Sequence, residues 1–332
     1  MLTQTYKSKA KSKQASQTLP LLRITPVSLD TLAQLRGTAK KSKILSNRAR
    51  SKAITNAIVR KLVDLNSPLK QSYWNTFHCS SVMIQEGKTI TSTYCNNRWC
   101  LVCNRIRTAK LIKGYAPELT LLKDKKFVTL TLPNCPEAQL RDTMKLMHST
   151  IRTIKERMRR KGRAIKGIRK YECTYNSKTN EYHPHFHFII EGKFDAELLR
   201  DEWLKIFPNA SKQAQDIRDA NDDSIIELFK YSTKMILKID GQTIINPMAL
   251  DVIYQSMKGK RIFQPMGIKK VVSEDIDEIE KTEYDIEPTI ETTILKWEDN
   301  CNDWINMLTG DFVSGYSHST VIREMIDRIN GT

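Results

Sequence analysis

No apolar run in this 332-residue sequence approaches the ~20 residues that cross a bilayer. The short LPLLRI segment is broken by Arg23 and lacks a small-residue cleavage signature. No membrane partner is expected, and an intracellular, cytoplasmic protein is. Cysteines number seven, an odd count with four crowded between Cys79 and Cys103, which argues against a secreted disulfide framework. Acids are scarce at the start: residues 1–70 hold two Asp against fifteen Lys or Arg. Histidine is scarce throughout, six in all, yet three stand at alternate positions of YHPHFHFII, Tyr182 to Ile190.

What is present fits a globular protein with room for two or three domains, 40% hydrophobic and 27% charged. The formal net charge of +17 calls for a polyanionic partner. We divide the chain into a basic N-terminal arm and helical region (1–70), a zinc-binding module (71–115), a catalytic domain (116–270), and an acidic linker with a C-terminal helical segment (271–332). The last follows from Ser273 to Asp299, where eleven acids meet only Lys281 and Lys296.

In the middle of the chain, FVTLTLPN reads as a strand with its exit turn. Leu140, Met144, Met147, Ile151, Ile154 and Met158 then mark one stripe of an amphipathic helix. Its far end runs into KERMRRKGRAIKGIRK, nine basic residues and one acid, so Arg159, Arg160 and Lys161 are candidate phosphate contacts. A hairpin turning near Asn176 to Asn180, a helix from Ala196 to Ile206 and a strand near Ala214 to Arg218 complete β-α-β-β-α-β. That order predicts an α+β fold, a ferredoxin-like split βαβ with a central antiparallel sheet, helices on one face, a zinc module and helical flanks.

Alternate strand residues share a face, so His183, His185 and His187 point one way while Phe186 and Phe188 enter the core. Two imidazoles so placed, with Glu172 on the hairpin partner, make a site for one divalent ion with open positions. Pro184 disturbs the case for His183, which is a possible ligand only. A second constellation is SIIELFKYSTKMILK, Ser224 to Lys238, read as one helix with Glu227, Tyr231, Lys234 and Lys238 on a narrow outward face. Lys230 and Lys238 are further candidate DNA contacts.

Cys79, Cys95, Cys100 and Cys103, spaced C-x15-C-x4-C-x2-C, predict a structural zinc site, with Arg98, Arg105 and Arg107 as DNA contacts around it. His78 in place of Cys79 stays open.

FVTLTLPN, HPHFHFII and ELFKYSTK, in that order, resemble three motifs of the HUH endonucleases, and within them the rolling-circle initiators of small plasmids. The resemblance covers roughly residues 127–238. It implies His185 and His187 as the paired metal ligands with Glu172 as a third, Mg²⁺ or Mn²⁺ as the catalytic ion, and Tyr231 as the nucleophile. It also implies Glu227 as the base for water at termination and Lys234 as the motif lysine. The implied reaction nicks single-stranded or hairpin origin DNA, leaving a 5′-phosphotyrosine and a free 3′-OH, and later rejoins or hydrolyses it. Host helicase and polymerase are implied partners. Position 235 is Met, so the second tyrosine of the two-tyrosine relatives is missing. The alternatives are a transposase or mobilisation relaxase with the same chemistry, and a non-catalytic zinc-containing DNA-binding regulator.

Overall fold

The computed structural model describes residues 43–229, 237–239, 242–244, 246–269, 271–272, 279–283 and 288–330. The basic arm through residue 42, and Lys230, Tyr231 and Lys234, lie outside the described residues. In chain order the elements begin with α1 (Lys43–Val63), α2 (Lys70–Phe77), β1 (Val82–Gly87), β2 (Thr89–Thr93), α3 (Leu101–Thr120), β3 (Lys125–Thr131), α4 (Glu137–Arg160), β4 (Gly167–Asn176), β5 (Glu181–Glu191) and α5 (Lys193–Ile206). They continue with β6 (Asp216–Asp219), α6 (Asp222–Phe229), β7 (Leu237–Ile239), β8 (Gln242–Ile244), α7 (Pro247–Met257), β9 (Phe263–Met266), β10 (Ile279–Glu283), β11 (Thr289–Glu298), β12 (Asp303–Asn306) and α8 (Thr320–Asn330).

The protein is α+β, and its central sheet runs β6-β3-β5-β4-β9 with every neighbouring pair antiparallel. Pro136 stands at the N-cap of α4, where its missing N–H costs nothing, and the predicted stripe from Leu140 to Met158 is buried. The hairpin closes with Asn176 opposite Glu181. Gly167, at φ +153°, opens β4 where a Cβ would collide with the Ile189 carbonyl.

Side-chain alternation separates two cores. Val128, Leu130, Tyr171, Phe186 and Phe188 join the apolar stripe of α4 and the inner face of α5. Burying each of the two phenylalanines contributes about 2–3 kcal/mol. Phe127, Ile168 and Ile189 face the other way, onto α3 and α6. Helices therefore cover parts of both faces, which corrects the one-face expectation. The reason is that the apolar residues Phe127, Ile168 and Ile189 sit on the same face as the histidines and need cover of their own.

A second sheet runs β10-β2-β1-β11-β12. It corrects the reading of residues 271–332 as linker and helix: β11 pairs with β1 from Val82↔Lys296 to Gly87↔Thr289, and only Thr320–Asn330 is helical there among the described residues. Thr293, Leu295 and Trp297 are buried while Thr292, Ile294 and Lys296 are exposed, a two-residue period hidden beneath the acid count. Leu295, Trp297 and Trp304 pack on Leu45, Ala49 and Ala53 of α1.

Candidate metal and nucleic-acid site

The histidine strand lies in the middle of the central sheet, between β3 and β4. Glu172 stands directly opposite His185, Lys170 opposite His187, and on the other side Thr129 pairs with His187 and Thr131 with His185. His185 Nε2 is 3.2 Å from Glu172 Oε2, and His187 Nε2 is 3.6 Å from the same oxygen. The second carboxylate oxygen is held by the Lys170 ammonium, and both of these side chains are buried.

Ring orientations follow from the remaining contacts. His185 Nδ1 lies 3.0 Å from the His183 carbonyl, which only accepts, so Nδ1 carries a proton and Nε2 is the nitrogen turned toward the carboxylate. Thr129 Oγ1 meets His187 Nδ1 at 3.1 Å and fixes the second ring. The donor set of two imidazole nitrogens and one carboxylate oxygen, all within 4.8 Å of one another, therefore fits a divalent ion. Burial opposes ionisation of Glu172, but the two imidazoles and Lys170 outweigh it and hold the carboxyl well below the usual range. Burial pushes the His187 imidazole down, which keeps it neutral and able to ligate.

His183 stands apart from this group. Its Nε2 meets Thr131 Oγ1 and its Nδ1 meets Asn134 Oδ1, both at 2.9 Å, so both nitrogens are engaged, and burial lowers its pKa to about 4. Among the described residues the group close enough to share one ion is Glu172, His185 and His187, while His183 props the strand end. Lys170, Thr129 and Thr131 were missed in the sequence. The signal was there, since each alternates in step with the histidines on its own strand.

The four cysteines also converge. Cys79 follows α2, Cys95 follows β2, Cys100 caps α3 and Cys103 lies in its first turn. Their sulfurs lie within 4.8 Å of one another, with Cys79 and Cys95 each 3.6 Å from Cys103. A tetrahedron of Zn–S bonds of about 2.3 Å has edges of about 3.8 Å, so the donor set fits zinc. Backbone N–H groups of Cys95 and Cys103 donate to the sulfurs of Cys79 and Cys100. His78 meets the Trp74 and Phe77 rings edge-on, outside the group. Beneath the cluster Lys52, 1% exposed, donates to the carbonyls of Phe77 and Cys79, and burial lowers its pKa to about 8.

The basic residues divide. Arg107 is 1% exposed and binds Asn104 and Asn96, so it braces the α3 entry and is corrected as a DNA contact; it lies on the inward side of α3, two residues on from the exposed Arg105. Arg98 is half-buried, its guanidinium on the Lys260 carbonyl. Arg105 is exposed. Arg159 and Arg160 are exposed and share Glu156, while Lys161 pairs with Glu202 at 3.1 Å. The exposed pairs with Glu156 are worth under about 1 kcal/mol and yield readily to a phosphate, whereas Glu202 is buried and shared with Arg157 and Lys205.

Helix α6 buries Ile225, Leu228 and Phe229 on the histidine side of the sheet and exposes Glu227, whose carboxylate lies 3.5 Å from Arg218. Arg218 covers the Phe127 ring at 4.4 Å, and that ring lies 5.3 Å from His187. The reading of Ser224 to Lys238 as one helix is corrected: Lys238 sits on β7, paired with Thr243 of β8. LKI-Asp-Gly-QTI is a two-residue hairpin signature, which outweighs the helical spacing of Lys238.

Fold and site define a basic α+β protein with two groups of side chains able to hold a metal ion. The sequence profile of the family described as "Replication protein" matches residues 86–305, a span that includes Glu172, His185, His187 and β11. A "Protein rep" of Staphylococcus aureus is 30% identical over 182 residues, covering 49% of this chain and 77% of that one. Another "Protein rep", from Streptococcus pneumoniae serotype 2, is 25% identical over 206 residues, 54% of this chain and 62% of its own. No solved structure matches. The chain belongs to the replication protein family. Among the described residues no helix is long and apolar enough to cross a membrane.

Proposed function

We propose that this chain is a rolling-circle initiator that nicks single-stranded or hairpin origin DNA through Tyr231 and later rejoins or hydrolyses it. The observation that carries the reading is the convergence of His185, His187 and Glu172 on one face of a rigid sheet, within a member of the replication protein family. The strand order β6-β3-β5-β4 suits the ferredoxin-like arrangement of such enzymes. Residues 116–270 are its catalytic domain, and the zinc module of 71–115 supports DNA binding beside it.

His185, His187 and Glu172 would hold Mg²⁺ or Mn²⁺, which supplies charge to polarise the scissile phosphate. Tyr231, two residues beyond the buried Phe229, follows a helix seated on the histidine side of the sheet. Its phenolic oxygen forms a bond to phosphorus, its proton passes to solvent or a neighbouring base, and the 3′-oxygen leaves as the primer hydroxyl. Glu227, exposed on α6, is the base that directs water at the last cleavage, and Lys234 stabilises developing charge. Arg105, Arg159, Arg160 and Lys161 offer exposed cations to phosphates.

Incubation of the protein with single-stranded origin DNA and Mn²⁺ should give a covalent adduct on a denaturing gel. Tyr231→Phe should abolish it while leaving DNA binding within a few-fold. Full nicking by that variant overturns the assignment, and binding without cleavage by the wild type would favour the non-catalytic regulator.

A further inference from the structure

Away from the histidine face lies a second polar depression, about 660 Å³, between α4 and the β4–β9 edge of the sheet. Lys145, Arg152, Lys155 and Arg159 of α4 line one wall, and Arg169 of β4 with Lys260 lines the other. The one carboxylate in the lining, Glu156, is held by Arg159 and Arg160. Six cations thus face a single acid that is already engaged.

The positions are built. Arg169 is 3% exposed with its guanidinium over the Phe186 ring at 4.7 Å, and the Lys260 backbone is fixed by Arg98 from the cysteine module. His148 Nε2, buried at the floor, has no hydrogen-bond partner among the described residues. The like charges disfavour one another: burial and Arg169 lower the pKa of Lys155, and burial with Arg141 and Lys145 lowers that of Lys260. A polyanion relieves that repulsion.

Two features choose the polyanion. Lys145, Arg152 and Arg159 recur every seven residues on one side of α4, spreading charge over about 20 Å, the axial length of roughly six phosphates on one strand. Apart from the His148 imidazole the lining carries no aromatic ring, since Tyr171 and Phe186 beneath it are at most 1% exposed. Single strands are gripped by stacking bases on exposed rings, so a groove of cations without such rings suits the backbone of a duplex.

We propose that this groove binds the phosphodiester backbone of duplex DNA, on the sheet face opposite the strand presented to Glu172. Arg169 and Glu172 have opposite parity on β4, so the sheet itself keeps the two DNA segments apart. The proposal rests on the initiator reading only for where the duplex comes from, the paired arm of an origin. The binding step needs no cleavage.

The test titrates a short duplex against the full chain at several salt concentrations without added divalent ion. The variant Lys145→Gln/Arg152→Gln/Lys155→Gln is compared with Lys88→Gln/Lys123→Gln/Lys178→Gln, which loses the same charge at exposed sites elsewhere. The groove variant should bind at least tenfold more weakly, with a log K against log salt slope shallower by about 2–3, and the control should stay near wild type. Equal losses in both, or none in the groove variant, overturn the proposal. Should the groove variant fail to fold, acetylation of wild-type lysines decides. Duplex should protect Lys145, Lys155 and Lys260 but not Lys88 or Lys123, and absence of protection overturns the groove. A chain that binds duplex this way yet never nicks would remove the nuclease reading and leave this one standing.

Discussion

Glu172 and His185 face one another across the β4–β5 ladder, carboxylate oxygen to imidazole nitrogen at 3.2 Å, both buried. Their neighbours orient the pair: Lys170 takes the far oxygen and the His183 carbonyl accepts from Nδ1, so Nε2 and the near oxygen are left facing one another.

Glu172→Gln keeps the shape and weakens the ligand. It should reduce Mn²⁺-dependent nicking at least 100-fold, and the rise in melting temperature that Mn²⁺ gives the wild type should vanish in a thermal-shift titration. Glu172→Ala should in addition cost on the order of 3 kcal/mol in urea unfolding, because it removes the carboxylate on which the buried Lys170 rests.

Protein purified without added zinc should carry about one equivalent of it by elemental analysis, a measure of the cysteine cluster. Cys103→Ser should lower that content and the melting temperature together, since the four sulfurs tie α2, β2 and α3 into one unit. Unchanged stability without zinc would argue against a structural role.

Acid should loosen the protein through His148. Burial, Arg169 and Lys260 lower its pKa to about 3, against about 6.5 in an unfolded chain. The folded state therefore binds fewer protons than the unfolded one between those values. The contribution is fully present above pH ~6.5 and is lost as pH falls toward 3. His148→Gln should flatten this part of the pH dependence of urea unfolding, and an unchanged profile would show that the residue does not titrate as stated.

A chain ending at Val272 loses the partner strand of β1 and the indoles of Trp297 and Trp304. Trp304 Nε1 donates to the Ser80 carbonyl beside Cys79 at 2.9 Å. The truncated protein should lose zinc and expose hydrophobic surface to a fluorescent dye. A chain with full zinc content after truncation would show that the second sheet does not support the cluster.

Much of the candidate site was legible because its information is local. Alternation in YHPHFHFII needs only the two-residue strand period, and Glu172 was found because a hairpin fixes which residues oppose. Lys170 and Thr129 went unnoticed because, although they alternate in step with the histidines, lysine and threonine are common on solvated strand faces and residue type alone does not mark the one that meets Glu172 or His187. Arg107 was misassigned for the complementary reason: charge composition says nothing about which arginine turns inward to satisfy carbonyls. Residues 289–306 were misread since eleven nearby acids outweighed the alternation of Thr293, Leu295 and Trp297, whose partner strand lies some 200 residues earlier.

By itself the sequence determined the basic character, the central strand and helix order, and the types and spacing of the side chains able to hold a metal, because charge and backbone periodicity are properties of neighbours along the chain. Only the tertiary structure decided that His183 is a prop, that the acidic segment closes a second sheet on α1, and that cations from α4, β4 and Lys260 meet in one groove. Each of these depends on contacts between distant residues, where packing and hydrogen-bond satisfaction choose among side chains that look alike in one dimension.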